Sequence, residues 1–290
     1  MWFTATSFEY ANNATSLAVT RKYLKAEPAS EVTHCSSVAQ PDFDLIMFTH
    51  CNLAVLIVVL TLHDKVHTGE IIGGHEAVAH SRPYMVLLEM HRPGGQKVHC
   101  DGFLVSEHFV VTAAHCKATS YRVFLGLHNY NNQNEVQHVN VPGENAFPQK
   151  GYDEAEFKND IMLLKLSTKA VLNKNVKPIP LADRDDRSLP KSCIVSGWGR
   201  TENSNHPSPK LLEVNVTLVE NEMCVKENKY CSKDKGGPGQ GDSGGPLVCE
   251  DGKAYGVVSA SKPNPDRSTI YSYTKIPDNR DWIDCIMKHK

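Results

Sequence analysis

The sequence has little of what would mark a metal, nucleic-acid or membrane protein. Its nine cysteines include no C-x-x-C pair and no His/Cys cluster with zinc spacing, so neither a metal nor another cofactor is expected. The net charge of −2 over 290 residues gives no electrostatic case for a nucleic-acid partner. The main apolar run, residues 53–62, is ten residues long, whereas a bilayer-spanning helix needs about 20. We therefore expect no membrane anchor.

The start of the chain is predicted to lie outside the working domain. The apolar run has the length of a signal-peptide core, and a start at Met47 gives a compact signal peptide over residues 47–68. Residues 1–46 lack the basic cluster of a signal-peptide start, so we interpret them as an upstream extension without a function. The alternative is a signal anchor over residues 45–62, which the short apolar run disfavours.

Short apolar or alternating segments recur from residue 71 onward, with turn signals between them. Their spacing predicts an all-β barrel or sandwich. These segments are 84–90, 109–112, 121–126, 161–166, 211–219, 255–260 and 270–276. One helix is predicted at the C-terminus, started by Pro277 and Asp278. Its apolar stripe at helical spacing consists of Trp282, Ile283, Ile286 and Met287.

A glycine-flanked serine turn, Gly241-Asp242-Ser243-Gly244-Gly245-Pro246, is the strongest chemical motif in the chain. Such a turn can aim the N–H groups of Gly241 and Ser243 at one point, where two donors hold an oxyanion. A serine hydroxyl also needs a base and an acid that orients the base. His115 and Asp160 are the candidates, and the order His115, Asp160, Ser243 is one of the known triad orders.

The dipeptide Gly69-Glu70 precedes Ile71-Ile72-Gly73-Gly74, and this junction is typical of an activation site. Cleavage after Glu70 frees the amine of Ile71, which then carries a positive charge. Asp242, beside the predicted nucleophile, is the natural buried partner for this amine. Because a buried carboxylate without a partner is costly, the new ion pair is expected to switch the oxyanion turn into its working form.

Together these motifs resemble the chymotrypsin-like serine proteases, over residues 71–290. The granule group of granzymes, mast-cell proteases and duodenase-like enzymes is the most similar in its motifs. The resemblance implies two six-stranded antiparallel β-barrels with a C-terminal helix, and a crossover near residues 177–190. It also implies a secreted or granule-stored endopeptidase that acts on peptide or protein substrates. An activating dipeptidyl peptidase and protein protease inhibitors are the other partners that it implies.

The resemblance also assigns roles. Ser243 attacks the peptide carbonyl to form an acyl-enzyme, and His115 accepts the serine proton and later protonates the leaving amine. Asp160 holds the imidazole tautomer, and Ser259 lies beside Asp160 and helps to bury it. Residues 259–261 form the edge strand that pairs with the substrate backbone.

Covalent features follow from the same resemblance and from one further motif. The implied disulfides are Cys100–Cys116, Cys193–Cys249 and Cys224–Cys231. Cys285 is left over and is interpreted as a small buried hydrophobe, with an intermolecular bridge as the alternative. Asn215 begins an N-glycosylation sequon within a predicted strand, so its occupancy depends on Asn215 facing solvent.

The primary specificity pocket departs from the tryptic pattern. Gly237, six residues before Ser243, stands where trypsin-like members carry an aspartate, so no tryptic activity is expected. Pro238 and Gln240 continue the same segment of the pocket. Ser261 takes a wall position where glycine is usual, and the Tyr271 ring is expected to narrow or floor the pocket. A small or medium apolar substrate side chain fits this pattern.

Two further positions differ from the family. Ala260 stands where tryptophan is usual, which removes a large wall for neighbouring substrate residues. Asp101 replaces a glycine that is common after the first bridged cysteine. The alternative to an active protease is a binding or defence protein with a blocked pocket. The complete set of three triad residues argues against that alternative, because a pure binder has no physical need for them.

Overall fold

A computed structural model of the chain describes residues 71–186, 190–201, 204–234, 236–264 and 268–290. The predicted upstream extension, signal peptide and activation dipeptide lie outside the described residues. Within the described ranges, no helix combines the length and apolar character that crossing a membrane requires.

The first half of the described chain builds one antiparallel sheet. The short β1 (His75–Glu76) comes first in the chain but pairs with the second sheet. The strands of the first sheet are β2 (Met85–His91), β3 (Lys97–Leu104), β4 (Phe109–Thr112), β5 (Ser120–Leu125), β6 (Gln137–Pro142), β7 (Ala146–Pro148) and β8 (Met162–Lys165). The order across this sheet is β6-β5-β2-β3-β4-β8-β7. The side chains of Val86, Leu88 and Met90 on β2 point into its core.

The second half builds a closed barrel. Its segments are β9 (Ser192–Gly197), β10 (Arg200–Thr201), β11 (Ser204–Pro207), β12 (Leu212–Val219), β13 (Lys229–Asp234), β14 (Pro246–Cys249), β15 (Ala254–Pro263) and β16 (Thr269–Lys275). The sheet order is β1-β12-β13-β16-β15-β14-β9, and a further pairing of β12 with β9 closes a ring of six strands. β10 and β11 form a separate two-stranded hairpin.

This architecture confirms the predicted all-β fold of two antiparallel β-barrels with a C-terminal helix. Only the second sheet closes into a six-stranded ring, whereas the first has seven described strands, β7 pairing with β8, and no closing pairing among the described residues. Strand β12 shows why the sequence pattern was informative. Its residues alternate between buried and exposed, so that Leu212, Val214, Val216 and Leu218 fill the second core.

Two α-helices are described, α1 (Glu222–Lys226) and α2 (Arg280–His289). The sequence did not indicate α1, which has only five residues. The predicted stripe of α2 does pack on the first core, with Ile283 fully buried and its three partners partly buried. The expectation of a buried Cys285 is wrong, because Cys285 is exposed and lies beside the stripe rather than in it.

The two sheets meet through a small apolar cluster, which includes Met85, Leu87, Phe124, Trp198 and Leu211. The chain passes between the sheets near residue 180. The N–H of Ile179 donates to Leu104 O in the first sheet, and the N–H of Ala182 donates to Ala254 O in the second, each at 2.9 Å. The candidate site lies on connections that leave both sheets at this junction.

Candidate active site

His115 and Asp160 meet because their strands are neighbours. β4 pairs antiparallel with β8, and Thr112 at the end of β4 lies opposite Met162 at the start of β8. The segment that follows β4 and the segment that precedes β8 therefore leave the sheet at the same edge. His115 sits in a short 3-10 turn, Ala114–Cys116, and Asp160 lies two residues before β8.

Asp160 is fully buried, and its carboxylate accepts three hydrogen bonds. The N–H of His115 donates to Oδ1 at 2.9 Å, and His115 Nδ1 lies 2.8 Å from Oδ2. Ser259 Oγ donates to Oδ2 at 2.7 Å. Burial alone would raise the pKa of Asp160, but these hydrogen bonds and the nearby imidazole hold that pKa below its ordinary value. The acid therefore stays ionised beside the imidazole.

Ser243 lies on a turn that is packed against the His115 segment. Gly241 has a φ of 110°, a backbone conformation that residues other than glycine rarely adopt. The Ser243 carbonyl accepts a hydrogen bond from the N–H of Asp101 at 2.8 Å. A Cβ on Gly244 would lie 2.1 Å from Thr112 Oγ1, so the turn touches the end of β4.

Within the described residues, no hydrogen bond joins Ser243 Oγ to His115. Catalytic hydrogen bonds are often long in substrate-free proteins and tighten only in the complex. The imidazole is also contacted by Phe157, whose ring centroid lies 5.6 Å from that of His115 in an edge-on arrangement. No sequence pattern indicates this contact, because Phe157 lies in an irregular loop.

Asp242, next to Ser243, is fully buried and is held by backbone donors. The N–H groups of Gly199 and Gly239 donate to its two carboxylate oxygens, each at 2.6 Å. Burial raises the pKa of Asp242 to about 6. Asp101, which sequence reasoning noted only as a departure from the family, is buried beside it.

The segment that begins at Ile71 packs against the segment around Gly237. The Ile71 side chain is fully buried and belongs to the second core. The N–H of Gly237 donates to Ile72 O at 2.8 Å, and the N–H of Gly74 donates to Ile71 O at 2.6 Å. The residues after the expected cleavage point therefore contact the segment around Gly237 directly.

The ring of Tyr271 fills the space over Gly237. A Cβ on Gly237 would lie only 2.4 Å from Tyr271 Cε2, and Tyr271 is buried. Ser261 pairs directly with Tyr271 in the register of β15 and β16. Pro238 is buried, whereas Gln240 is exposed at the rim. Gly237 has no side chain to carry a charge, and the Tyr271 ring occupies the space beside it.

A groove of about 690 Å³ runs beside Ala260. It is lined by residues of β15, by the 155–158 loop with Phe157, by α1 and by Lys229. The Lys229 side chain is only 3% exposed and pairs with Glu227 Oε2 at 3.1 Å. Where the family usually has tryptophan, this chain has an open groove with a lysine–glutamate pair at its base. Lys229 was not identified from the sequence, since nothing local distinguishes it from a surface lysine.

The covalent features can also be located. The structure contains the disulfides Cys100–Cys116, Cys193–Cys249 and Cys224–Cys231. The first ties β3 to the turn that carries His115. Asn215 and Thr217 of the sequon are both exposed on β12, which is the condition that glycosylation at Asn215 needs.

Comparison with known proteins adds to this geometry. Residues 71–283 match the family model described as Trypsin. The chain belongs to the trypsin family. This membership and the relatives below make it a serine endopeptidase, with peptides and proteins as its substrates.

Several curated relatives come from the granule group, so the resemblance to that group is confirmed. Granzyme B of Rattus norvegicus is 39% identical over 248 residues, covering 81% of this chain and 98% of the relative. Duodenase-1 of Bos taurus is 39% identical over 249 residues, covering 81% and 96%. Mast cell protease 3 of Ovis aries is 38% identical over 244 residues, covering 80% and 95%. A solved structure described as "Structure of GrC" is 36% identical, with a TM-score of 0.68, and covers 76% of this chain and 100% of that one.

Proposed function

We propose that residues 71–290 work as an endopeptidase through an acyl-enzyme, with Ser243 as nucleophile, His115 as general base and acid, and Asp160 as the orienting acid. The observation that carries this proposal is the buried Asp160 carboxylate, which binds both His115 and Ser259. An ionised acid on Nδ1 leaves Nε2 of the imidazole free to accept the serine proton. The N–H groups of Gly241 and Ser243 then stabilise the oxyanion.

Activation is proposed to occur by removal of Gly69-Glu70, by a dipeptidyl peptidase. The full burial of Ile71 and the buried Asp242 carboxylate support this, because a freed amine at Ile71 would need a buried anion as its partner. A chain that begins at Ile71 should be active, and one that retains Gly69-Glu70 should have little activity. Equal rates for the two forms would contradict this route of activation.

The specificity is proposed to be non-tryptic, with a small or medium apolar residue before the cut. Support comes from Gly237, which offers no charge, and from the Tyr271 ring, which occupies the depth of the pocket. The edge strand at Ser259, Ala260 and Ser261 is proposed to pair with the substrate backbone. Residues further from the cut would then enter the groove above Lys229, where polar side chains find charged partners.

The proposed location is outside the cell or in a secretory granule. The three disulfides support passage through an oxidising compartment. The similarity to granzymes and to a mast cell protease supports storage in granules, with protein protease inhibitors as further partners. The exposed Asn215 is proposed to carry an N-glycan.

A second candidate is a protease-fold binding or defence protein with little or no catalysis. The filled pocket under Tyr271 favours it, as does the lack of a hydrogen bond between Ser243 and His115 in the described residues. The triad residues argue for the enzyme, since a binder would not need to keep Asp160 ionised and buried.

A peptide-library cleavage assay separates the two candidates. It uses protein that begins at Ile71, with Ser243→Ala as the matched control. We expect cleavage that the control lacks, after small or medium apolar residues. Tyr271→Ala should shift the preference toward larger apolar residues by about 10-fold or more. If the folded, disulfide-bonded protein cuts no faster than its control, the binding protein is the better account.

A further inference from the structure

Asp101 and Asp242 form a pair of buried carboxyl groups at the back of the nucleophile turn. Both residues are fully buried. They face each other across Gly197, where an added Cβ would lie 2.1 Å from Asp242 Oδ1 and 2.3 Å from Asp101 Oδ2. Their carboxyl oxygens converge on this point inside the protein, where two ionised carboxylates would repel each other, so we expect one of the two acids to be protonated.

The donors around the pair show which acid holds the proton. Asp242 accepts from two backbone N–H groups, those of Gly199 and Gly239. Asp101 accepts only one, from the N–H of Trp198 to Oδ2 at 3.1 Å, and its buried Oδ1 has no hydrogen-bond partner among the described residues. Burial and the Asp242 charge hold the pKa of Asp101 well above its ordinary value. Asp101 is therefore the neutral member, and Asp242 is the carboxylate.

Asp101 is attached to the nucleophile turn at a second point. Its N–H donates to Ser243 O at 2.8 Å, and its carbonyl accepts from Thr112 Oγ1 at 2.7 Å. Its side chain reaches Asp242, the residue immediately before Ser243. Asp101 on β3 thus contacts both Asp242 and Ser243 of the turn. It also contacts Thr112 at the end of β4.

Few other titratable groups lie near this pair. His99 precedes Asp101 by two residues on β3, and burial lowers the pKa of His99, so that it stays neutral. Leu87 lies opposite Asp101 on β2. On the side of the second barrel, Arg200 follows Gly199 but is exposed. The remaining charge that can reach the pair is the amine of Ile71, once it has been freed.

We propose that Asp101 is a positioning residue that shares its proton with Asp242 and so holds the nucleophile turn before the amine of Ile71 is released. This role rests on the proposed activation at Ile71. A neutral hydrogen bond is a weaker partner for a carboxylate than an ammonium ion. The unprocessed chain therefore retains a small part of the activity. After cleavage, the freed amine of Ile71 replaces Asp101 as the partner of Asp242.

The first test measures stability and needs no catalysis. The full chain carrying Ser243→Ala is compared with the same chain carrying also Asp101→Asn or Asp101→Ala, by thermal unfolding between pH 5 and pH 7. The amide of asparagine donates to Asp242 but cannot ionise. The wild-type Asp101 must keep its proton when folded, so its stability falls as pH rises from its unfolded pKa toward its raised folded pKa.

We expect the gain in Tm from Asp101→Asn to be at least about 3 °C larger at pH 7 than at pH 5. Asp101→Ala should be less stable than Asp101→Asn at both pH values, because Asp242 loses a donor. A pH-independent difference between wild type and Asp101→Asn would overturn the proposal. So would equal stability of the asparagine and alanine variants.

The second test measures the Ser243-dependent activity of the full, unprocessed chain. Asp101→Ala should lower it by about 10-fold, and Asp101→Asn should restore it and extend it to higher pH. Equal activity of the two variants would contradict the proposal, and so would an inert unprocessed chain whose processed form is active. If no form has activity, the proposed protease function fails, and the stability test alone decides the role of Asp101.

Discussion

Asp160 and the Asp101–Asp242 pair are both fully buried, yet the protein treats their charge in opposite ways. Asp160 receives three hydrogen bonds from His115 and Ser259, and its pKa is lowered. The two acids of the pair receive hydrogen bonds only from backbone donors, and their pKa values are raised by burial. The difference teaches that donors, rather than burial, decide whether an interior carboxyl group is ionised.

The comparison assigns the two sites different times of action. The three donors already satisfy the charge of Asp160 without a substrate. The proposed activation needs the opposite of Asp242, an acid whose charge the freed amine of Ile71 would complete.

The largest expected effect comes from removing the charge of Asp160. Asp160→Asn should lower kcat/KM by about 10⁴-fold, because the amide favours the wrong imidazole tautomer. The measurement is peptide hydrolysis by protein that begins at Ile71, with circular dichroism to show that the variant is folded. Activity within tenfold of wild type would mean that Asp160 is not the orienting acid.

Removing the charge of Asp242 should have the next largest effect. In protein that begins at Ile71, Asp242→Asn leaves the amine without a buried anion, and we expect kcat/KM to fall by about 10²-fold or more. Asp281→Asn is the matched control, since Asp281 is 81% exposed on α2. Similar activities of the two variants would show that Asp242 does not hold the turn through its charge.

Removing the Ser259 hydroxyl, which also contacts Asp160, should have a smaller effect than Asp160→Asn. Ser259→Ala removes one donor from Asp160, and kcat/KM should fall by about 10-fold. Ser272→Ala is the control, because Ser272 Oγ donates to Ala260 O on the same sheet without touching the acid. The proposed support of Asp160 is wrong if the two alanine variants lose activity equally.

The pH dependence of stability should show the opposite signs directly, as shifts of a few degrees in Tm. Asp160 has a lowered folded pKa, so its contribution is present above about pH 4 and is lost as pH falls through the folded pKa. The Tm of Asp160→Asn should therefore fall less than that of wild type as the pH drops below about 4. Asp101→Asn should change the Tm only above about pH 4. Parallel curves for wild type and both variants would contradict the comparison.

The parts of the site predictable from the sequence are those fixed by local chemistry. The glycine-flanked turn around Ser243 needs a positive φ at Gly241. The alternation of apolar and polar residues in strands such as β12 predicts the β fold. The stripe of α2 follows from its helical spacing. In each case a short segment carries its own physical reason.

What could not be predicted depends on residues far apart in the chain. Asp101 and Asp242 meet only because β3 packs behind the serine turn, and no local pattern records that contact. The burial of Lys229 needs the groove around it. Cys285 was expected to be buried because free cysteines usually are, but it lies outside the apolar stripe of α2 and is exposed. The helix α1 is too short to produce a periodic signal.

The central claim is that Ser243 is a nucleophile activated by His115 and Asp160. Covalent labelling with a serine-reactive fluorophosphonate tests this directly, on protein that begins at Ile71, with intact mass and peptide mapping as the readout. We expect a single adduct on Ser243, absent from Ser243→Ala and formed far more slowly by Asp160→Asn. No adduct from folded protein, or an adduct at another residue, would contradict it.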